Sequence, residues 1–452
     1  MTPGSSLRAV FAGRRGRLLA ALLFAEFGGA VQSIAYSSVL PIASNELAGA
    51  GLYGATLAAG SFTTILVLAA GPGPFARMAP GRVLAFATLL YVVGAALCVT
   101  APAMGFVLAG TIVRGLSGGL LAGFGMTALG ALYQGSARTR VMGLFALMWL
   151  LPALAGPAVN AMVTIAAGWR AAMAWPAVLV VLGRLLIGRD AQLIPWKRSR
   201  GTRLGPGNAV VLLGGLAVAT AAPAAHERIT GTALLVLGVL GAGWAALRTL
   251  RSQVDGQRTQ YLVTATMFWL CLAFFGGSGT VPLAAVNGLG RGVVASSVVV
   301  GAGLVAWALT GLRRSGGGTV PGLLFVAVGL VLEVLAQVPA IGRVPALLIL
   351  VAAWALAGLG MGLSYAPVSS SVFDGVDTGR TAQVATAIAF AETAGTAVGA
   401  LVSGGVFSTA TSLGVGARGS VIWSFALLAM VAVAALCTHV RVRGGDFGDR
   451  TG

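Results

Sequence analysis

Long apolar blocks separated by short polar loops dominate this chain. Residues 210–225 and 346–367, for example, run without a single charged side chain. A helix rises 1.5 Å per residue, so about 20 apolar residues cross the roughly 30 Å hydrocarbon core of a bilayer. The blocks therefore predict membrane-spanning helices.

Fourteen spans are predicted from these blocks and from the Gly, Pro and charged residues that separate them. They are 18–41, 52–70, 83–100, 106–132, 141–167, 171–187, 208–225, 229–247, 261–283, 293–312, 320–339, 346–368, 382–407 and 420–440. The predicted fold is an all-α integral membrane protein of about 14 spans, with two six-helix bundles and two extra central helices.

The domain organisation follows from the same pattern. Spans end at Leu40 and Pro41 and again at Val281 and Pro282, and about thirty residues after each pair comes a glycine followed by a basic loop, a spacing typical of two related six-helix halves. The predicted boundaries are a cytoplasmic tail 1–17, a first bundle 18–188, a linker with the two extra spans 189–258, a second bundle 259–440 and a cytoplasmic tail 441–452.

The basic residues predict the orientation, because cytoplasmic loops are enriched in Lys and Arg. With fourteen alternating spans, both tails and nearly all basic loop residues fall on one side. The other side carries only Arg170, Arg228, Arg291, Arg343 and Arg418. Both termini are therefore predicted to be cytoplasmic. Deleting the hairpin around His226 would leave every other loop on the same side, so the sequence leaves open whether that pair spans fully.

Composition narrows the class of protein. The chain is 57% hydrophobic and only 9% charged, whereas soluble domains carry about a quarter charged residues. The net charge of +18 resides in short loops, which argues against a nucleic-acid partner. Two histidines far apart and three unpaired cysteines predict neither a metal site nor a disulfide framework. No Lys-Ser/Thr phosphate loop occurs, so no nucleotide or other cofactor is expected.

A few ionisable residues lie deep within predicted spans, where a charge costs several kcal/mol and often carries function. They are Glu26, Arg114, Glu333 and Glu392. Arg184 lies one turn from a span end and is expected to snorkel to the interface. Glu26 and Arg114 differ in predicted depth by roughly 6 Å, within the reach of an arginine on a neighbouring helix. Structural ion pairing is the alternative reading for each, and the favoured one for Glu333.

Two motifs carry a family resemblance. Residues 108–119, with Arg114 and the glycines that follow it, resemble the fourth-helix motif of major facilitator proteins. Gly143, Gly156 and Pro157 match in spacing the fifth-helix motif of drug:proton antiporters, with Pro152 in place of its middle glycine. The resemblance, which covers essentially the whole chain, is to the fourteen-helix drug:proton antiporters.

The chain departs from the family pattern at two further motifs. Gln32 stands where the first-helix signature of these antiporters carries an aspartate, which moves attention to Glu26. The loop between the second and third spans retains Gly73, Gly81 and Arg82 of the family's gating loop, but Arg77 occupies its aspartate position.

The resemblance implies a proton-coupled exporter of a small apolar or amphipathic compound, monomeric in the plasma membrane and working by alternating access. Glu26, Gln32, Arg114 and Glu392 are then the candidates for proton coupling and transport. Aromatic residues predicted to line the cavity are Tyr36, Trp149, Trp269 and Phe275. A facilitator or importer without proton coupling is the alternative. A polytopic membrane enzyme is a distant third, since the loops offer no His/Asp/Glu cluster.

Overall fold

The computed structural model describes residues 11–70, 78–132, 135–193, 205–225, 227–311, 318–374, 376 and 381–448. Within these ranges the chain is helical and contains no strand. The helices are α1 Gly13–Glu46, α2 Tyr53–Ala70, α3 Pro80–Val99, α4 Met104–Leu132, a continuous run Gly135–Asp190, α7 Pro206–Ala221, α8 Arg228–Gln253, α9 Arg258–Leu283, α10 Val293–Gly311, α11 Thr319–Ala336, α12 Arg343–Ser371, α13 Thr381–Ser412 and α14 Ala417–Gly448.

The run Gly135–Asp190 contains two helices rather than one. Its 56 residues are far more than one crossing requires. The backbone breaks at Gly168, whose φ of 79° lies in the left-handed region that glycine adopts without a steric penalty. We name residues 135–167 α5 and residues 169–190 α6. This break falls between the predicted fifth and sixth spans.

The length and composition of the helices support a multi-pass membrane protein. In the described part of the chain, 13 helical segments are long and apolar enough to cross a bilayer, and one of them contains the break at Gly168. Many large apolar side chains are more than half exposed, among them Leu89, Ile165, Leu237 and Trp423. Exposed apolar faces of this extent suit helices that contact lipid. Because one of the 13 segments contains two helices, the prediction of about fourteen spans is confirmed.

The helices extend beyond several of the predicted spans. The first span was predicted as 18–41, whereas α1 runs from Gly13 to Glu46 and includes Arg14 and Arg17 in its first turns. Hydropathy detects only the part of a helix that fits the hydrocarbon core. A helix can continue into the polar interface, where its charged residues are hydrated, so the sequence pattern underestimates its length.

The chain packs into two compact units. Unit 1 contains Met1–Val39 and Thr63–Gly201, and unit 2 contains Leu40–Phe62 and Thr202–Gly452. In unit 2, α9 and α13 are buried along most of their length. Segment 40–62 is held in unit 2 by the Tyr53 hydroxyl, which donates a buried hydrogen bond of 2.9 Å to the carbonyl of Gly279. The predicted boundaries of the two six-helix bundles remain a prediction.

The orientation in the membrane is a testable prediction. Reporter fusions after Arg203 and after Arg258 should both report a cytoplasmic position, and a fusion at His226 should report the opposite side. The reason is that Gly207–Ala224, which is α7 with the turn after it, and α8 are each long and apolar enough to cross a bilayer. A cytoplasmic signal at His226 would mean that α7 and α8 do not span.

Candidate functional site

Arg114 lies at the centre of a polar and aromatic cluster within unit 1. Its guanidinium carbon lies 3.6 Å from the centre of the Tyr36 ring and 5.9 Å from that of the Tyr91 ring. Helix α4 supplies the arginine, α1 supplies Tyr36 and α3 supplies Tyr91. A guanidinium over an aromatic face is stabilised by the ring quadrupole, more strongly where water is excluded.

Gly94 of α3 creates the space for the Arg114 side chain. A Cβ atom at this position would lie 2.6 Å from Cγ of Arg114 and 2.7 Å from the carbonyl oxygen of Gly110. Any larger residue would therefore displace the arginine or separate α3 from α4. The absence of a side chain at Gly94 is what positions Arg114 against Tyr36.

Arg184 of α6 belongs to the same cluster, and the expectation that it snorkels to the interface is wrong. The residue is only 3% exposed. Its Nη1 donates hydrogen bonds of 2.8 Å to the carbonyl of Ala87 and to the hydroxyl of Ser117, and its guanidinium carbon lies 4.6 Å from the centre of the Tyr91 ring. The physical reason is that α6 continues to Asp190, so Arg184 lies further from the helix end than the predicted span implied.

Gln32, at the position of the family's aspartate, is also part of this cluster. The Tyr91 hydroxyl donates a hydrogen bond to Oε1 of Gln32. Tyr91 thus contacts two candidate residues, Gln32 through its hydroxyl and Arg114 through its ring, and its ring also contacts Arg184. Sequence reasoning missed Tyr91 entirely.

The fifth-helix motif packs against the same stretch of α1. Gly156 faces Ile34, and a Cβ atom at Gly156 would lie 3.4 Å from its Cγ2. One turn further, Asn160 donates hydrogen bonds of 3.1 Å to the carbonyl of Ala35 and 2.7 Å to the hydroxyl of Ser38. Buried amide bonds of this kind fix the register of two helices. Pro152 and Pro157 are buried in α5 as well.

Glu26 lies elsewhere on α1. It precedes Tyr36 by ten residues, which is about 15 Å along the helix axis, and it is half-buried. The contacts that stabilise the Arg114 guanidinium are with the aromatic rings of Tyr36 and Tyr91.

Unit 2 holds the remaining deep carboxylates. Oε2 of Glu392 accepts a hydrogen bond of 2.7 Å from the Tyr365 hydroxyl. The Tyr365 ring lies 6.0 Å from Trp307, which in turn lies 5.9 Å from the predicted cavity residue Phe275. Glu333 is fully buried, and neither of its carboxylate oxygens has a hydrogen-bond partner in the described part of the chain.

The remaining predicted residues include two aromatic residues, the gating loop and one glycine of the fifth-helix motif. Trp269 is half-buried in α9, one and a half turns before Phe275, and its ring packs edge-on against Phe268. Gly81 and Arg82 lie in the first turn of α3. Gly73 and Arg77 fall outside the described residues, as do the side chains of Gly143 and Trp149.

Two ion pairs join the first turns of α1 to the last residue of α6. Asp190, whose side chain is 2% exposed, accepts hydrogen bonds of 3.1 Å from Nε of Arg14 and 3.0 Å from Nε of Arg17. Arg17 also donates through Nη2 at 3.1 Å, so that pair is bidentate. Bidentate pairs are the stronger and more directional form of salt bridge.

Replacing Asp190 with asparagine should lower the melting temperature of the purified protein by a few degrees, because two arginines lose their carboxylate. The matched control is Asp374→Asn, which removes an exposed carboxylate and should leave the melting temperature unchanged. Scanning fluorimetry in detergent measures both. Equal melting temperatures for the two variants would show that the pair contributes nothing to stability.

Comparison with known proteins agrees with this architecture. The sequence profile described as Major Facilitator Superfamily matches residues 22–400, and the chain belongs to that superfamily. It is a multi-pass membrane transporter of small molecules and not an enzyme. The resemblance found in the fourth-helix and fifth-helix motifs is thereby confirmed at the level of the superfamily.

Particular relatives and structures resemble this chain more loosely. A probable multidrug-efflux transporter of Mycobacterium tuberculosis strain CDC 1551 / Oshkosh is 28% identical over 372 residues, 75% of this chain and 76% of the relative. The same figures hold for its counterpart in strain ATCC 25618 / H37Rv. An auto-inhibited POT family peptide transporter superposes with a TM-score of 0.66 at 14% identity, over 94% of this chain and 97% of that one. At that identity the likeness shows the fold alone.

Proposed function

We propose that this protein is a secondary active transporter of the plasma membrane that exports a small apolar or amphipathic compound in exchange for protons. The observation that carries the proposal is the cluster around Arg114, Arg184 and Tyr91, which holds two guanidiniums within the predicted membrane-spanning helices of unit 1. Intramembrane charges are costly and are typical of substrate and proton pathways. The likeness to probable multidrug-efflux transporters supports the direction of transport.

The proposed roles follow from the positions of the residues. Arg114 and Gln32 belong to the pathway in unit 1, with Tyr36 lining it. Glu26 is the first candidate for the carboxyl that loads and releases a proton, and Glu392 is the second. The fifth-helix motif at Gly156 and Pro157 holds α5 against α1 near Tyr36. A monomer is expected to suffice, with both termini in the cytoplasm.

Proteoliposomes with an imposed pH gradient test the proposal. With an acidic lumen, a panel of fluorescent amphiphilic dyes should accumulate inside, because proton exit would drive dye entry in the inverted fraction. A protonophore should abolish the accumulation. Protein-free liposomes carrying the same gradient correct for passive trapping of weak bases. Wild-type protein that ignores the gradient would rule out proton coupling.

A facilitator without proton coupling is the second candidate. The observation in its favour is that Gln32, which cannot ionise, stands at the family's aspartate position and is hydrogen-bonded to Tyr91. This candidate predicts that dye equilibrates across the membrane faster than in protein-free liposomes but never accumulates. The same experiment therefore separates the two.

A further inference from the structure

The guanidiniums of Arg114 and Arg184 form no ion pair with a carboxylate of the described residues. Both guanidinium carbons lie within 5.9 Å of the centre of the Tyr91 ring, one from α4 and one from α6. The partners of Arg184 are a carbonyl, a hydroxyl and an aromatic ring, all of them neutral. Two like charges that approach the same ring repel each other, and the attraction of the Tyr91 ring compensates only a part of that cost.

Three hydrogen-bond donors in the same cluster lack a nitrogen or oxygen acceptor. Nε of Arg114, Nε of Arg184 and the hydroxyl of Tyr36 are buried, and none donates to a nitrogen or oxygen acceptor in the described part of the protein. The Cys98 thiol near Arg114 and Tyr36 is only a weak and uncharged acceptor. A buried polar group without a partner costs about 1–3 kcal/mol, and more when it is charged. The cluster therefore offers donors and positive charge in excess, and what it lacks is an acceptor that carries negative charge.

The cluster is not sealed by the protein. Arg114, Tyr36 and Gln32 are each partly exposed, whereas Arg184 is buried. An incoming group would meet Arg114 and Tyr36 first, and the buried Arg184 would add positive charge from α6. The aromatic faces of Tyr36 and Tyr91 provide apolar contact for the body that carries the charged group.

We infer that Arg114, Arg184 and Tyr36 form a binding site for the anionic group of a small organic acid, a carboxylate or sulfonate carried on an apolar body. This inference rests on the proposed function and narrows its substrate to anionic amphiphiles. No sequence motif indicated Arg184. Its proposed role is to attract, through its positive charge, the anionic group that Arg114 contacts. Charge-assisted bonds to a guanidinium are short and about twice as strong as neutral ones.

Binding of three matched naphthalene compounds to the full-length protein tests the inference. The probes are naphthalene-1-sulfonate, 1-naphthalenemethanol and 1-naphthylmethylammonium, which share one apolar body and differ in charge. Equilibrium dialysis against protein in phosphatidylcholine nanodiscs, corrected with empty nanodiscs, gives the dissociation constants. We expect the sulfonate to bind about tenfold or more tightly than the other two. Equal affinities, or a preference for the ammonium compound, would overturn the inference.

Substitutions test whether the preference for the sulfonate arises from the arginines of the cluster. Arg114→Gln and Arg184→Gln should each weaken sulfonate binding about tenfold and leave the neutral alcohol unaffected. The matched control is Arg170→Gln, since Arg170 also lies over an aromatic ring, 4.2 Å from the centre of Trp169, and donates to the carbonyl of Ala101 outside the cluster. If Arg184→Gln does not fold, Arg184→Lys keeps the charge and should retain the sulfonate preference. An unchanged affinity in both glutamine variants would refute the site.

Two further arms separate the alternatives. Phosphatidylglycerol added to the nanodiscs should not compete with the sulfonate for binding. If it does compete, and if the competition disappears in Arg114→Gln and Arg184→Gln, the site binds a lipid headgroup and the assignment to a small acid is overturned. The binding measurement uses no pH gradient, so it can succeed even if proton coupling fails. Conversely, gradient-driven export of cationic dyes with no sulfonate binding would retain the proposed function and reject this inference.

Discussion

Replacing Arg114 with lysine is expected to lower the initial rate of transport at least tenfold while the protein still reaches the membrane. The reason is geometric: the planar guanidinium lies 3.6 Å from the centre of the Tyr36 ring, whereas a lysine ammonium is a compact and strongly hydrated charge that cannot stack. The site keeps its positive charge in this variant, so a loss of activity would result from the loss of the planar guanidinium. Dye flux into proteoliposomes, normalised to the amount of reconstituted protein, provides the measurement.

The control for this substitution is Arg170→Lys. Arg170 lies over Trp169 in the same unit, so both variants lose a guanidinium that stacks on a ring. Arg170→Lys should transport at the wild-type rate. Wild-type flux in Arg114→Lys would show that the charge alone suffices at this position, and that the contact with Tyr36 serves only packing.

The fold could be predicted from the sequence because the bilayer imposes a strong constraint. A helix that crosses hydrocarbon must satisfy its backbone internally and present apolar side chains, so hydropathy alone locates the spans. The break at Gly168 was also visible, because Gly168 and the charged Arg170 separate two apolar blocks. The hydropathy pattern did not show how far each helix continues outside the hydrocarbon. Helix α1, for example, begins at Gly13, before the predicted start of its span at Leu18.

The composition of the site was predicted only in part. Arg114 and Gln32 were found because a charge within a span and a departure from a family motif are both visible in one dimension. Tyr91 was missed because a tyrosine in an apolar helix is usually a packing residue, and only the contact of α3 with α1, α4 and α6 reveals its role. Arg184 was misplaced because depth was counted from a predicted boundary that lies inside the actual helix.

The same limit applies to the carboxylates. The depth of Glu26 relative to Arg114 was estimated from span ends, yet the partners of a side chain depend on how helices rotate about their axes, which the pattern does not contain. Glu392 shows the converse case. Nothing in the sequence joined it to Tyr365, which lies on the preceding helix, although their hydrogen bond of 2.7 Å places a phenol directly on the carboxylate.

Replacing Glu26 with glutamine is expected to abolish gradient-driven accumulation and to leave downhill exchange measurable. Glutamine preserves the shape of the side chain and its capacity for hydrogen bonding, but it cannot gain or lose a proton. A transporter whose coupling proton resides on Glu26 would therefore still bind and release substrate while losing the link to the pH gradient. Proteoliposomes with an imposed gradient measure accumulation, and counterflow of labelled substrate without a gradient measures exchange.

Two matched substitutions make the result specific. Glu227→Gln removes an exposed carboxylate that accepts a hydrogen bond of 3.3 Å from Thr230, and it should accumulate dye like the wild type. Glu392→Gln removes the carboxylate bound by Tyr365 and tests the second candidate. If Glu26→Gln still drives uphill transport and Glu392→Gln does not, the coupling proton resides in unit 2, beside the Tyr365 hydroxyl. If both variants lose exchange as well as accumulation, neither carboxylate acts through the proton alone, because a neutral isostere would then fail for reasons of binding or folding.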